Sequence, residues 1–119
     1  MHNITIINKR IPLKQHQKAV KTFYCGRGSA LGNPFKMTSE ADRDAVCEDY
    51  HRYFHKQLAD FKNYPFHNEI EAILTAANQG DIQLACFCAP KRCHCETIKD
   101  YVTGVISMAE QAQEGRFHG

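Results

Sequence analysis

A chain of 119 residues, 43% hydrophobic and 24% charged, has room for one domain with one core and not for a second. Its net charge of +2, with Lys and Arg scattered among acids, lacks the basic stripe of a duplex-binding surface, so duplex nucleic acid is not an expected partner. No apolar run approaches the roughly 20 residues of a membrane span, and Met1-His2-Asn3-Ile4 lacks the basic-then-apolar layout of a signal peptide. The expectation is a cytoplasmic protein with no membrane partner, in a compartment where thiols stay reduced.

In chain order, Ile4 to Asn8 is a short β-branched run, expected as a first strand. A polar stretch holding Pro12 separates it from Lys21 to Cys25, a second extended segment that stops at Gly26. Gly26, Gly28, Gly32 and Pro34 keep the segment from Gly26 to Phe35 out of helix and strand alike. Ser39 opens a long helix, with Asp42 three positions on as its capping-box partner. Val46, Tyr50, Tyr53, Phe54, Gln57, Leu58 and Phe61 recur on one largely apolar face. Pro65 ends that helix, and Asn68 with Glu71 caps the next, lined by Ile70, Ile73, Leu74 and Ala77. Gly80 reads as its left-handed stop. Ile82 to Cys88 is the strongest strand signal, nearly continuous in apolar residues as a strand covered on both faces is. After the turn from Ala89 to Arg92, a last helix shows a stripe of Ile98, Tyr101, Val102, Val105, Ile106 and Ala109, with Gly104 weakening its middle. Residues 111–119 read as a frayed tail of one α/β domain spanning 1–119.

Strands alternating with helices predict a short, mainly parallel sheet with three helices packed on it. Ligands of such sheets sit beyond the carboxyl ends of the strands. Both unusual segments, Gly26 to Phe35 and Cys86 to Cys95, leave the carboxyl end of a predicted strand.

In the first segment, Gly26, Gly28 and Gly32 allow backbone N–H groups to approach an anion and form a nest. Arg27 offers a fork to a phosphate or carboxylate, and Ser29 and Asn33 suit ribose or base contacts. The plainer alternative is a tight turn with Arg27 solvated. The second segment holds four of the six cysteines. Cys86 and Cys88, two apart on a strand, point to one face. Cys93 and His94 fall at the first turn of a helix, whose positive end favours anions and thiolates, and Lys91 and Arg92 add charge there. Four readings stay open. In an anion site Cys88 lines the pocket, His94 contacts the ligand, and Glu96 or Cys93 does proton or nucleophilic work. In a metal site Cys88, Cys93, His94 and Cys95 hold a tetrahedral zinc. The other two are a redox pair, or core thiols with His94 as a helix cap.

Together the two segments resemble the family catalogued as domain of unknown function 4326, short proteins of bacteria and phages. The resemblance rests on an early strand ending near Asn8, on a GRGS-x-LGNPF signature standing here as Gly26 to Phe35, and on a CWCAP-x-x-CHG-D signature standing as Cys86 to Glu96. It departs at Phe87, where the signature has Trp, at Cys95 in place of Gly, and at Glu96 in place of Asp. The resemblance implies a small Rossmann-like domain of two or three layers and a nucleotide-handling role. It also implies a phage or mobile-element origin, hence the host cytoplasm. Two functions follow as expectations. The first is binding of a nucleotide or nucleotide-derived metabolite between the loop at 26–35 and the helix start at 93–96, with hydrolysis or transfer at a phosphate or N-glycosidic bond and no required cofactor. Glu96 would then be the carboxylate beside an oxocarbenium-like centre. The second is a zinc-stabilised, non-catalytic accessory module that binds a host protein or nucleic acid. Small size alone adds a homodimer as the expected assembly.

Overall fold

The computed structural model describes residues 2–10 and 20–118, with backbone alone over 114–118. Pro12 and the polar stretch around it lie outside the described residues. The β-branched run Ile4–Asn8 forms strand β1, Lys21–Tyr24 forms β2 and Ile82–Cys86 forms β3. The three strands are parallel, in the order β1-β3-β2. Ile4 stands opposite Ile82 and Asn8 opposite Cys86 on one side of β3, while Lys21 pairs with Ile82 and Tyr24 with Ala85 on the other. This order places the most apolar strand in the middle. Ile82, Leu84 and Cys86 join the main core, and Gln83 and Ala85 are buried on the opposite face, as a strand covered on both sides requires. The buried Gln83 amide is satisfied: its Oε1 accepts the Thr22 hydroxyl at 3.0 Å.

Among the described residues three α-helices pack with the sheet: α1 over Arg43–Ala59, α2 over Tyr64–Gln79 and α3 over Cys95–His118. Helix α3 packs on β1 and β3, and the other two pack on α3 and on each other. Tyr50 and Phe54 of α1, Phe66 and Ile73 of α2, and Ile98 and Val102 of α3 are fully buried, each apolar side chain contributing about 1.5–3 kcal/mol. Among the described residues no helix is long and apolar enough to cross a membrane.

Several element ends differ from the sequence expectation, each for a local reason. A short 3-10 turn over Glu40–Asp42 precedes α1, and Ser39 makes no side-chain cap bond. The Asp42 carboxylate instead accepts the Thr38 hydroxyl and the Thr38 N–H, the latter at 3.3 Å. Helix α1 stops at Ala59, which leaves Phe61 outside the helical face, 80% exposed and stacked on His67. Pro65 starts a helix where it was expected to end one. It lies in the first turn of α2, where its missing N–H costs nothing. The cap is therefore Asn63, not Asn68, with its side chain accepting the Phe66 N–H at 3.3 Å. Gly80 has φ −178°, extended rather than left-handed. Strands β2 and β3 end one and two residues earlier than the apolar runs, at Tyr24 and Cys86. Helix α3 continues to His118 through the stretch expected to fray, with residues 111–113 exposed.

Candidate functional site

Because the strands are parallel, the segments after β1, β2 and β3 all emerge at one edge of the sheet. There they enclose, with the start of α1, a cleft of about 420 Å³. Arg10 comes from the end of β1; Gly26, Arg27 and Asn33 from the glycine-rich loop; Cys86, Cys88, Arg92, Cys93 and His94 from β3 and the loop after it; and Arg43 from the first turn of α1. Among the described residues, four guanidinium groups line the cleft and no carboxylate does. Phe35, Met37 and Phe87, all substantially exposed, supply its apolar wall.

The four arginines are not equivalent. Arg43 grips both oxygens of Glu40 at 2.9 Å and donates to the Arg92 carbonyl at 2.9 Å. Arg92 bridges Asp44 at 3.1 Å and Glu48 at 2.6 Å. Carboxylates therefore balance the charges of these two. Arg27 donates only to carbonyl oxygens, of Asn33 at 3.4 Å and Phe35 at 3.1 Å. The Arg10 guanidinium lies over the Phe87 ring at 5.0 Å. Carbonyl and ring contacts orient a guanidinium without neutralising it. Among the described residues, Arg10 and Arg27 bring uncompensated positive charge to the cleft.

The glycine-rich loop is bonded mainly to itself. The N–H and hydroxyl of Ser29 donate to the Gly26 carbonyl at 3.1 and 2.6 Å, and the Gly32 N–H donates to the Ser29 carbonyl at 3.0 Å. A Cβ on Gly32 would stand 2.6 Å from the Gly26 oxygen, and one on Gly26 2.4 Å from the Tyr24 hydroxyl. Gly28 takes φ +86° at the exposed tip. Gly28, Ser29 and Gly32 thus close the turn and do not line the cleft, whereas Gly26, Arg27 and Asn33 do. Asn33 makes its own bend, its Oδ1 accepting the Phe35 N–H at 2.9 Å. The buried Tyr50 holds the loop down: its hydroxyl donates to the Leu31 carbonyl at 2.6 Å, and its ring meets His94 edge-on at 4.9 Å. One α1 side chain thereby fixes both segments.

In the second segment, the Asn8 amide donates to the carbonyls of Phe87 at 3.3 Å and Ala89 at 2.9 Å, tying the end of β1 to the turn. Cys93 caps α3: its sulfur accepts the Cys95 N–H at 3.5 Å, and Glu96 reaches back to accept the Cys93 N–H at 2.9 Å, a capping box. Glu96 is exposed and borders a separate hollow of about 220 Å³ with Cys47, His51 and Asp100. Of the three residues expected to do chemistry, Cys93 and His94 line the cleft and Glu96 does not.

His94 is buried, and burial pushes its pKa down. Its Nε2 lies 2.5 Å from the Cys25 carbonyl oxygen, which can only accept, so Nε2 carries the proton and Nδ1 is an acceptor. The Cys93 sulfur stands 3.6 Å from that Nδ1 and 3.0 Å from the Cys86 sulfur, so its single thiol proton serves one neighbour or the other. Donation from the thiols of Cys93 and Cys95 holds the Cys86 pKa well below the ordinary thiol range, and the same contact raises that of Cys93. All six cysteines are free. A thiol beside an imidazole acceptor at the wall of a cleft sets a nucleophile next to a base, with the Cys86 contact keeping the proton on the Cys93 sulfur in this arrangement.

Among the described residues two triads bring ligand atoms within 4.8 Å of one another: Cys86, Cys88 and Cys93, and Cys93, His94 and Cys95. The expected metal set of Cys88, Cys93, His94 and Cys95 is therefore divided between two groups that share Cys93. Cys95 turns into the core against Cys25, fully buried, whereas Cys88 opens to the cleft. Sequence reasoning missed Arg10, Arg43, Tyr50 and the apolar wall. Arg10 had one usable signal, its place just past the carboxyl end of a strand. Arg43 and Tyr50 had none, because their roles depend on how α1 crosses the sheet edge.

No curated protein and no solved structure matches the chain. Residues 9–104, which carry both loops, all four cleft arginines and every cleft cysteine, match the family described as Domain of unknown function (DUF4326), and the chain belongs to that family.

Proposed function

We propose that the cleft binds a phosphorylated ligand of the nucleotide class, with the phosphate at Arg10 and Arg27 and the base against Phe35, Met37 and Phe87. The observation that carries this reading is the cleft wall itself: among the described residues four guanidinium groups, no carboxylate, and an apolar side, at the carboxyl edge of a parallel sheet. Arg27 is the anchor because it is held by carbonyls and left uncompensated. Nucleophilic or proton-transfer work on the bound ligand falls to Cys93 and His94, since Glu96 faces the neighbouring hollow.

Thermal melts against nucleoside monophosphates, nucleoside diphosphates, dinucleotides and unphosphorylated nucleosides test this. Native-state binding stabilises by about 2.7 kcal/mol at a hundredfold excess over Kd. Phosphorylated ligands should raise the melting temperature, nucleosides should not, and Arg27→Ala should remove the shift. Equal shifts from nucleoside and nucleotide, or no shift from any, would overturn the reading. A metal-stabilised module is the second reading, favoured by the grouping of thiols around Cys93. Chelation that unfolds the chain in the absence of any nucleotide would support it.

A further inference from the structure

The thiols after β3 are placed more tightly than packing needs. Cys86 and Cys93 are buried, and their sulfurs lie 3.0 Å apart. That is inside ordinary sulfur contact and far beyond the roughly 2.05 Å of a disulfide. Cys88, half-buried on the cleft wall, completes the triad within 4.8 Å. A role as small core hydrophobes accounts for Cys86 and Cys93, whereas Cys88 packs at the edge of the core and is also half open to an arginine-lined cleft.

Backbone amides point at two of these sulfurs. The Cys88 N–H donates to the Cys86 sulfur at 3.4 Å, and the Cys95 N–H to the Cys93 sulfur at 3.5 Å. Amide donation favours the thiolate, the form that ligates metal, and holds the side chains in place before an ion arrives. The Arg43 guanidinium lies on the same cleft wall as the third sulfur, that of Cys88. We propose that Cys86, Cys88 and Cys93 bind one zinc ion, with its fourth coordination position opening into the arginine-lined cleft.

The geometry fits the ion. Zinc–sulfur bonds of about 2.3 Å in a tetrahedron put sulfurs about 3.8 Å apart, so the triad needs Cys93 to draw back from Cys86 by less than about 1 Å. Three sulfur ligands and a tetrahedral preference select zinc over the hard cations. Three thiolates around a divalent ion leave one net negative charge, at the wall of a cleft where Arg10 and Arg27 carry uncompensated positive charge. Thiol protons leave to solvent as the ion binds. The competing triad is worse placed: Cys95 is fully buried, and the His94 ring is held by the Cys25 carbonyl. The cleft gives an ion its way in at Cys88, the most exposed residue of either triad. This site stands without the nucleotide reading and meets it at two points: the open position faces the same cleft, and Cys93 as a zinc ligand is no longer free to act as the nucleophile.

Elemental analysis of the full chain, after dialysis against zinc and then metal-free buffer, should find one zinc per chain. Cys88→Ser should retain its far-ultraviolet circular dichroism and lose at least tenfold in zinc affinity, while Cys95→Ala keeps the ion. A wild-type chain that retains no stoichiometric zinc would sink the proposal. So would a Cys88→Ser chain that binds as wild type while Cys95→Ala does not, which would assign the ion to Cys93, His94 and Cys95. Cobalt substitution reads the site in the unaltered protein. Thiolate-to-cobalt charge transfer with intense visible bands is expected, and azide should shift those bands through the fourth position. Bands that azide leaves unmoved would mean a closed site and overturn the open position.

Discussion

The two cleft-forming loops leave the same edge of the sheet, yet they turn their polar atoms in opposite directions. The loop from Gly26 to Phe35 directs its donors inward: Ser29 and Gly32 bond within the turn, and Tyr50 takes the Leu31 carbonyl from beneath. Only the side chains at its margins, Arg27, Asn33 and Phe35, reach the cleft along with Gly26. The loop from Cys86 to Cys95 is held by others, through Asn8 and Glu96, and leaves Cys86, Cys88, Cys93 and the His94 ring together at the cleft wall. Glycine richness here marks a turn that must close on itself. Cysteine and histidine richness marks the chemistry.

The harshest test of that contrast is Gly32→Ala. Its new methyl meets a backbone oxygen at 2.6 Å, which no rotamer change relieves, so the turn must open at a cost of about 2 kcal/mol or more. A denaturant titration should show a lowered midpoint with an unchanged slope. A variant as stable as wild type would break the claim that the turn closes on itself. Arg27→Ala comes next and acts on a different quantity. Stability should move by no more than about 0.5 kcal/mol, because the side chain is exposed. Nucleotide affinity should fall by about 1.5–3 kcal/mol, the contribution of a charged hydrogen bond, which is roughly ten- to a hundredfold by calorimetry. If both quantities fall together, Arg27 belongs to the scaffold and not to the site.

Glu96→Ala separates capping from catalysis in the other loop. Losing the carboxylate that accepts the Cys93 N–H should lower stability by about 1 kcal/mol, with ligand affinity and any turnover unchanged. Turnover abolished in a chain that still melts cooperatively would restore Glu96 to the chemistry, where the sequence had placed it.

That reassignment shows where sequence reading stops. The parallel strands, the three helices and the convergence of two loops at one edge were legible, because β-branched runs and apolar stripes report backbone geometry directly. Which atoms of a loop face outward was not. The GRGS segment looks like an anion nest until the Ser29 and Gly32 amides are seen to have carbonyl partners. Glu96 looks like a catalytic acid until its carboxylate is seen on the Cys93 amide. Arg10 and Arg43 are unremarkable in the chain and gain their meaning only from the strand order, which brings the end of β1 and the start of α1 to the same opening. Pro65 was misread for a related reason, since the same fixed φ that ends one helix also begins another.

The smallest expected effect sharpens the contrast from outside both loops. Gly104 lies in the middle of α3, exposed, and a Cβ built there meets nothing within 4 Å. It lacks the close approach that makes glycine necessary at Gly32, so it keeps only the entropic cost of a flexible residue in a helix. Gly104→Ala should therefore stabilise the chain by about 0.5–1 kcal/mol and raise the melting temperature by a few degrees. Opposite signs at two glycines of one chain would show that necessity comes from contact and not from composition. A loss of stability at Gly104 would instead mean that some surface packs on this face of α3, and concentration-dependent melting would identify that surface as a second copy of the chain.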